Sequence, residues 1–234
     1  MIAGVRLQEL DVVLTDLLWS GVSLWCFVRL TGVRHTLSTA GEWFRWFFLL
    51  MSVAVLLGAF LGHGFQYALG YEAKYPGWIV SMWGVACLER ASIAYAGERV
   101  SERLARIMSV ANVTELVVFH GLILYFGYFK LVEAHAAYGL IVIAVPLHGR
   151  VYRATGSAAS RLVLWGIGIA ALALGVEALD LGLGVWFNYH DVSHVILTAS
   201  TLLYYRAARR MTRGRRGLGV GSPPPRRPEG LRAG

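Results

Sequence analysis

Seven apolar runs, at about residues 11–30, 43–69, 77–97, 107–128, 131–147, 162–183 and 185–208, leave this chain few ways to fold. Each is close to the roughly 17 to 25 residues that cross a hydrocarbon core as a helix, the one open-chain shape that pairs its own backbone amides there. A soluble domain is excluded by the same residues: 56% of the chain is hydrophobic, 15% is charged and the mean hydropathy is +0.55. The expected fold is all-α, a seven-transmembrane helix bundle over residues 1–210 with a disordered, basic, Pro/Gly/Arg-rich tail at 211–234. The run at 131–147 is the shortest and is expected to cross with little tilt. Neither an internal repeat nor a soluble insertion is visible between the runs.

Orientation follows from the basic residues in alternate connections. Arg29, Arg34 and Arg45 flank the end of the first run, Arg99, Arg103 and Arg106 follow the third, and Arg150, Arg153 and Arg161 follow the fifth. The other side offers Arg6, Lys74 and Lys130. The N-terminus is therefore expected outside, the C-terminus in the cytoplasm and the plasma membrane as the location. The beginning of the chain lacks the pattern of a cleaved secretory signal, so the first run is expected to stay as a membrane helix. A net charge of +8 does not point to nucleic acid, because the arginines gather at helix ends and in the tail, where they would meet anionic lipid headgroups. Cys26 and Cys87 both fall inside apolar runs and offer no disulfide framework.

Ionisable groups inside a bilayer are costly and should face the bundle interior. At about 1.5 Å of rise per residue, Asp16, His63, His120, Glu177, His190 and His194 all come to lie about 8 to 14 Å below the outer ends of their helices. His190 and His194 are four residues apart, on one helical face, and His63 lies at matching depth, so these three imidazoles are candidate ligands of a shared metal ion. Asp16 and Glu177 could fix a histidine tautomer, accept a proton or bridge helices. His120 is expected in an ordinary interhelical hydrogen bond, and His35, His135 and His148 at interfacial carbonyls. Glu89 and Glu115, with Arg90 and Asn112 nearby, are expected to lock two helices through a salt bridge. Trp43, Trp46, Trp78 and Trp186 fall at the ends of runs, as an aromatic belt places them. The glycines of 58–64 are expected to admit a close helix approach.

With seven helices, Gly62-His63-Gly64-Phe65 in the second run and His190-Asp191-Val192-Ser193-His194 opening the seventh, the chain resembles the superfamily of alkaline ceramidases and adiponectin/progestin receptors. That resemblance implies a seven-helix membrane hydrolase with His63, His190 and His194 as zinc ligands. The chain departs from the family pattern at Ala59, where a serine is expected, and at Lys74, where an aspartate is expected.

Three imidazoles on Zn²⁺ leave a fourth position for a water made acidic by the metal. The expected activity is hydrolysis of a membrane lipid amide or ester, with Asp16, Glu177 or Asp191 moving the proton. Two other classes stay open: a non-catalytic membrane protein whose metal or histidine cluster holds the bundle, and a proton-coupled transporter or sensor. A retinal protein is set aside, because the seventh run has no lysine for a Schiff base.

Overall fold

The structure, a computed structural model, describes residues 8–97 and 100–211. Among these residues it is helical and without a sheet; an isolated bridge pairs Gly184 with Phe187. The basic tail from 212 onward, Arg6 and Arg99 lie outside the described residues.

The helices, in chain order, are α1 (Leu10–Thr31), α2 (Thr39–Leu57), α3 (Gln66–Leu69), α4 (Tyr75–Ala96), α5 (Glu102–Phe126), α6 (Lys130–Tyr138), α7 (Val145–Thr155), α8 (Ala158–Ala178) and α9 (Tyr189–Arg210). Two π-helical stretches, Gly58–Gly64 after α2 and Gly139–Ala144 between α6 and α7, join their neighbours into longer rods. Hydroxyl caps start several helices: Ser38, Ser101 and Ser157 each accept a hydrogen bond from a backbone amide three residues on. Gly127 and Gly156, with φ of 67° and 64°, end α5 and α7 in the left-handed conformation that glycine alone takes without strain.

Among the described residues, five stretches are long and apolar enough to cross a membrane: Leu10–Thr31, Thr39–Gly64, Glu102–Phe126, Lys130–Thr155 and Ala158–Ala178. Helices α4 and α9 match them in length at 22 residues each, but polar side chains such as Glu89, Arg90, His190, Asp191 and His194 lower their hydropathy. Large apolar side chains on the outer faces, including Leu14, Leu18, Val117, Leu124 and Leu172, are exposed, as a lipid-facing surface requires.

Two boundaries differ from those read in the sequence. The run expected to be short belongs to a 26-residue rod, Lys130–Thr155, because Val145 and Pro146 start a new helical turn without breaking the chain's direction. The last helix starts at Tyr189 rather than at 185, because Asp180 and the glycines at 182 and 184 turn the chain; Val185 and Trp186 are left 89% and 86% exposed.

Helix α1 packs between α2 and α9, α4 packs on α2, and α8 on α9, with α5 outermost against α4. Their shared core is aromatic: Phe44, Phe47 and Phe48 of α2 meet Tyr204 and Tyr205 of α9. Close approaches fall at Gly84, Gly139 and Gly166, and at Gly77, whose added Cβ would meet Ala54 O at 3.1 Å and Gly58 N at 3.4 Å, so the start of the 58–64 stretch admits α4 as expected. A Cβ at Gly166 would come within 2.5 Å of the Tyr204 ring, whereas at Gly58 it would meet only Asp16 Oδ2, at 3.8 Å. Glycine in the 58–64 stretch also accompanies a π-helical turn, a distortion common at functional sites.

Candidate metal centre

Gln8 N–H donates to Gly64 O at 3.1 Å and so ties the start of α1 to the π-helical end of α2. Glu9 follows in a left-handed conformation (φ 47°, ψ 53°), which costs a non-glycine residue roughly 1 kcal/mol. Its carboxylate lies 2.5 Å from His63 Nδ1. The strained residue thus delivers an acceptor to the histidine of the neighbouring rod.

The other two histidines are held at the start of α9 by a capping box. Asn188 Oδ1 accepts from His190 N–H at 2.8 Å, and Asp191 Oδ2 accepts from Asn188 N–H at 2.8 Å. Asp191 Oδ1 also accepts from the Thr15 hydroxyl at 3.0 Å. Both oxygens of this fully buried carboxylate are therefore engaged in structure.

His190 Nδ1 lies 3.1 Å from Glu177 Oε1, which also accepts from Ser193 Oγ at 2.6 Å. His194 Nδ1 lies 3.2 Å from Asp16 Oδ1 and 3.2 Å from Thr15 Oγ1, while the Trp19 ring covers its face at 5.8 Å between centres. Nδ1 is thus hydrogen-bonded to a carboxylate in His63 and His190 and to the Thr15 hydroxyl in His194, with Asp16 beside it, and no Nε2 among the three has a partner among the described residues. An Nδ1–H held by an oxygen acceptor leaves the lone pair on Nε2, the donor arrangement that metal-binding histidines use.

Ring centres stand 5.8 Å apart for His63 and His190, 6.5 Å for His63 and His194, and 6.4 Å for His190 and His194. Three imidazoles sharing one zinc have centres roughly 5 Å apart, so the donor set fits the ion and the rings stand about an ångström wide of it. A cavity of about 340 Å³ runs from this cluster into the bundle. Asp16, His63, Glu177, Ser193 and His194 line it at the histidines, and Met51, Leu88, Ile167 and Tyr204 line it deeper in.

His120 stands outside the cluster. Its Nδ1 pairs with Leu116 O of its own helix at 2.7 Å and its ring meets Trp83, so the expected interhelical hydrogen bond is absent. The salt bridge expected around Glu89 and Glu115 is replaced by another arrangement, because Arg90 turns to Ser109 O at 3.4 Å. The carboxylates instead meet His135, which is fully buried. One ligand atom each from Glu89, Glu115 and His135 all lie within 4.8 Å of one another, a tighter set than the three histidines make. His148 is also buried rather than interfacial, held between Ser160 Oγ at 3.1 Å and Ser92 Oγ at 3.2 Å. Trp78 is 9% exposed and packs on Tyr75 and Phe129, while Trp43, Trp46 and Trp186 are exposed.

A family model described as a family of unknown function (DUF6962) matches residues 12–213. No curated protein and no solved structure matches the chain.

Proposed function

The chain belongs to the DUF6962 family, and from its site we propose that it is an integral membrane hydrolase in which His63, His190 and His194 hold a zinc ion against a lipid amide or ester. The observation that carries this reading is an oxygen acceptor on each Nδ1, Glu9 for His63, Glu177 for His190 and the Thr15 hydroxyl for His194, with all three Nε2 atoms left over. Bound there, zinc supplies Lewis acidity and an acidified water.

The chain's own groups divide the remaining work. Glu177 fixes the His190 ring and is itself fixed by Ser193. Asp16 places Oδ1 at His194, while its Oδ2 is buried without a partner in a side chain that lines the cavity. That oxygen is the free acceptor for a proton from the attacking water and its later donor to the leaving group. Asp191 is a positioning residue, holding Asn188 and Thr15. The cavity's 340 Å³ falls within the roughly 300 to 1,000 Å³ of small-molecule sites, and its aliphatic and aromatic walls suit an acyl chain.

In this reading α4 and α9 also cross the bilayer, giving seven spans with the N-terminus outside and the C-terminus in the cytoplasm of a plasma-membrane protein. Complete burial of Glu89 and Asp191 supports it, since polar groups of a crossing helix face the interior. The arginine tail would rest on anionic headgroups.

A non-catalytic bundle braced by metal is the second reading, favoured by Ala59, fully buried where the resembling family has a serine. Hydrolysis of a panel of ceramides, N-acyl amines and lipid esters by protein in lipid nanodiscs separates the two. Turnover in wild type that is abolished in His190→Ala supports the hydrolase. Zinc-loaded wild type that turns over none of the panel supports the braced bundle.

A further inference from the structure

Among the described residues, the tightest set of metal-ligating side chains lies away from the histidine triad, where α4, α5 and α6 converge. We propose that Glu89, Glu115 and His135 form a second, buried site for a divalent transition-metal ion, independent of the triad's chemistry. Their ligand atoms all lie within 4.8 Å of one another, and the residues are 0%, 7% and 0% exposed. Glu89 Oε1, both oxygens of Glu115 and both ring nitrogens of His135 are buried without a hydrogen-bond partner. His135 Nε2 approaches Glu115 Oε1 to 3.3 Å, but not in hydrogen-bonding geometry. Buried polar atoms left open in this number, with one from each residue drawn together, call for a ligand.

Charge decides what that ligand is. Two carboxylates and an imidazole need positive charge, and among the described residues no basic side chain supplies it: Arg90 is turned to Ser109 O and Lys130 is paired with Glu133. Two oxygens and one ring nitrogen match Mn²⁺, Fe²⁺ or Zn²⁺ better than Mg²⁺ or Ca²⁺, which prefer oxygen throughout. The surroundings hold the ligands in place. Asn112 Nδ2 donates to Glu89 Oε2 at 2.9 Å and to Ala86 O at 3.3 Å, and the Phe119 ring packs edge-on against His135. Gly139 opens the second π-helical stretch, one turn after His135, and a Cβ there would run into Glu89 Oε1. A glycine is what lets the carboxylate reach this face. His135 also lines the cavity that leads from the triad, which gives an ion a way in.

The test is manganese binding to chelator-stripped protein in nanodiscs, read by electron paramagnetic resonance. Glu89→Gln with Glu115→Gln, which keeps volume and removes charge, should lower bound manganese by about one equivalent per chain relative to wild type. Unchanged binding would overturn the site. A second measurement needs no variant: spin-echo modulation of manganese bound to wild type should contain a population with a single imidazole nitrogen. Absence of bound manganese, as when the carboxylates share a proton instead, or a signal of three-imidazole coordination alone, would equally overturn it.

Discussion

At His63, His190 and His194 oxygen acceptors stand behind the imidazoles, Glu9, Glu177 and the Thr15 hydroxyl holding Nδ1 and leaving Nε2 free, with Asp16 beside His194. At Glu89, Glu115 and His135 the carboxylates stand in front, with three of their four oxygens unpaired beside the ring. The same two residue types therefore do opposite work. In the first cluster the acids orient nitrogen donors and set their tautomer; in the second they are themselves the donors, and a neutral amide, Asn112, does the orienting. The setting differs as well. The triad is assembled from helix ends, a π-helical turn and one left-handed residue, whereas the second cluster sits within α4, α5 and α6. Irregular backbone beside the cavity leaves room for a substrate, whereas the ligand atoms of the second cluster stand close enough together for an ion.

The contrast can be broken most severely at His194, which meets Asp16, Thr15 and Trp19 together. His194→Ala should lower lipid hydrolysis about 10³-fold or more while manganese binding at Glu89 and Glu115 persists, measured by turnover and resonance on one preparation. Asp16→Asn should cost about 10²-fold in kcat with the zinc retained, because the ring keeps an oxygen partner while the proton acceptor is gone. Equal loss of zinc in this variant would make Asp16 a brace rather than a base. Gly139→Ala should destabilise the protein by about 2 kcal/mol and weaken manganese binding, since the added methyl displaces Glu89; thermal unfolding in nanodiscs with and without manganese reads both. The smallest effect, about 1 kcal/mol in the same unfolding assay, is expected for Asn112→Ala, which removes one hydrogen bond to Glu89.

How far the sequence could be read follows the same division. His190 and His194 declare themselves by a spacing of four, and counting rise along the helices is enough to bring His63, Asp16 and Glu177 to their level. Glu9 could not be found that way, because its reach depends on a left-handed turn and on the Gln8 bond to Gly64, neither of which has a sequence pattern. The second cluster is three single residues on three helices, with no spacing to betray it. Its charges misled besides: Arg90 follows Glu89 in sequence, yet adjacent residues on a helix point to different faces, so the arginine turns to α5 while the glutamate turns inward. His135 looked interfacial because it comes soon after Lys130, but the Phe119 ring packs against it and it is fully buried. The helical class was open to reading because apolar content over long runs permits nothing else. The helix starting at Tyr189 was not, since the turn before it rests on Asp180 and two glycines amid apolar side chains.

Zinc content of the purified protein, wild type against His63→Ala, bears most directly on the claim that two separate rods share one ion. A folded His63→Ala protein should lose about one zinc per chain. If it carries as much zinc as wild type, the three histidines do not hold a common metal, and the hydrolase built on them has no centre.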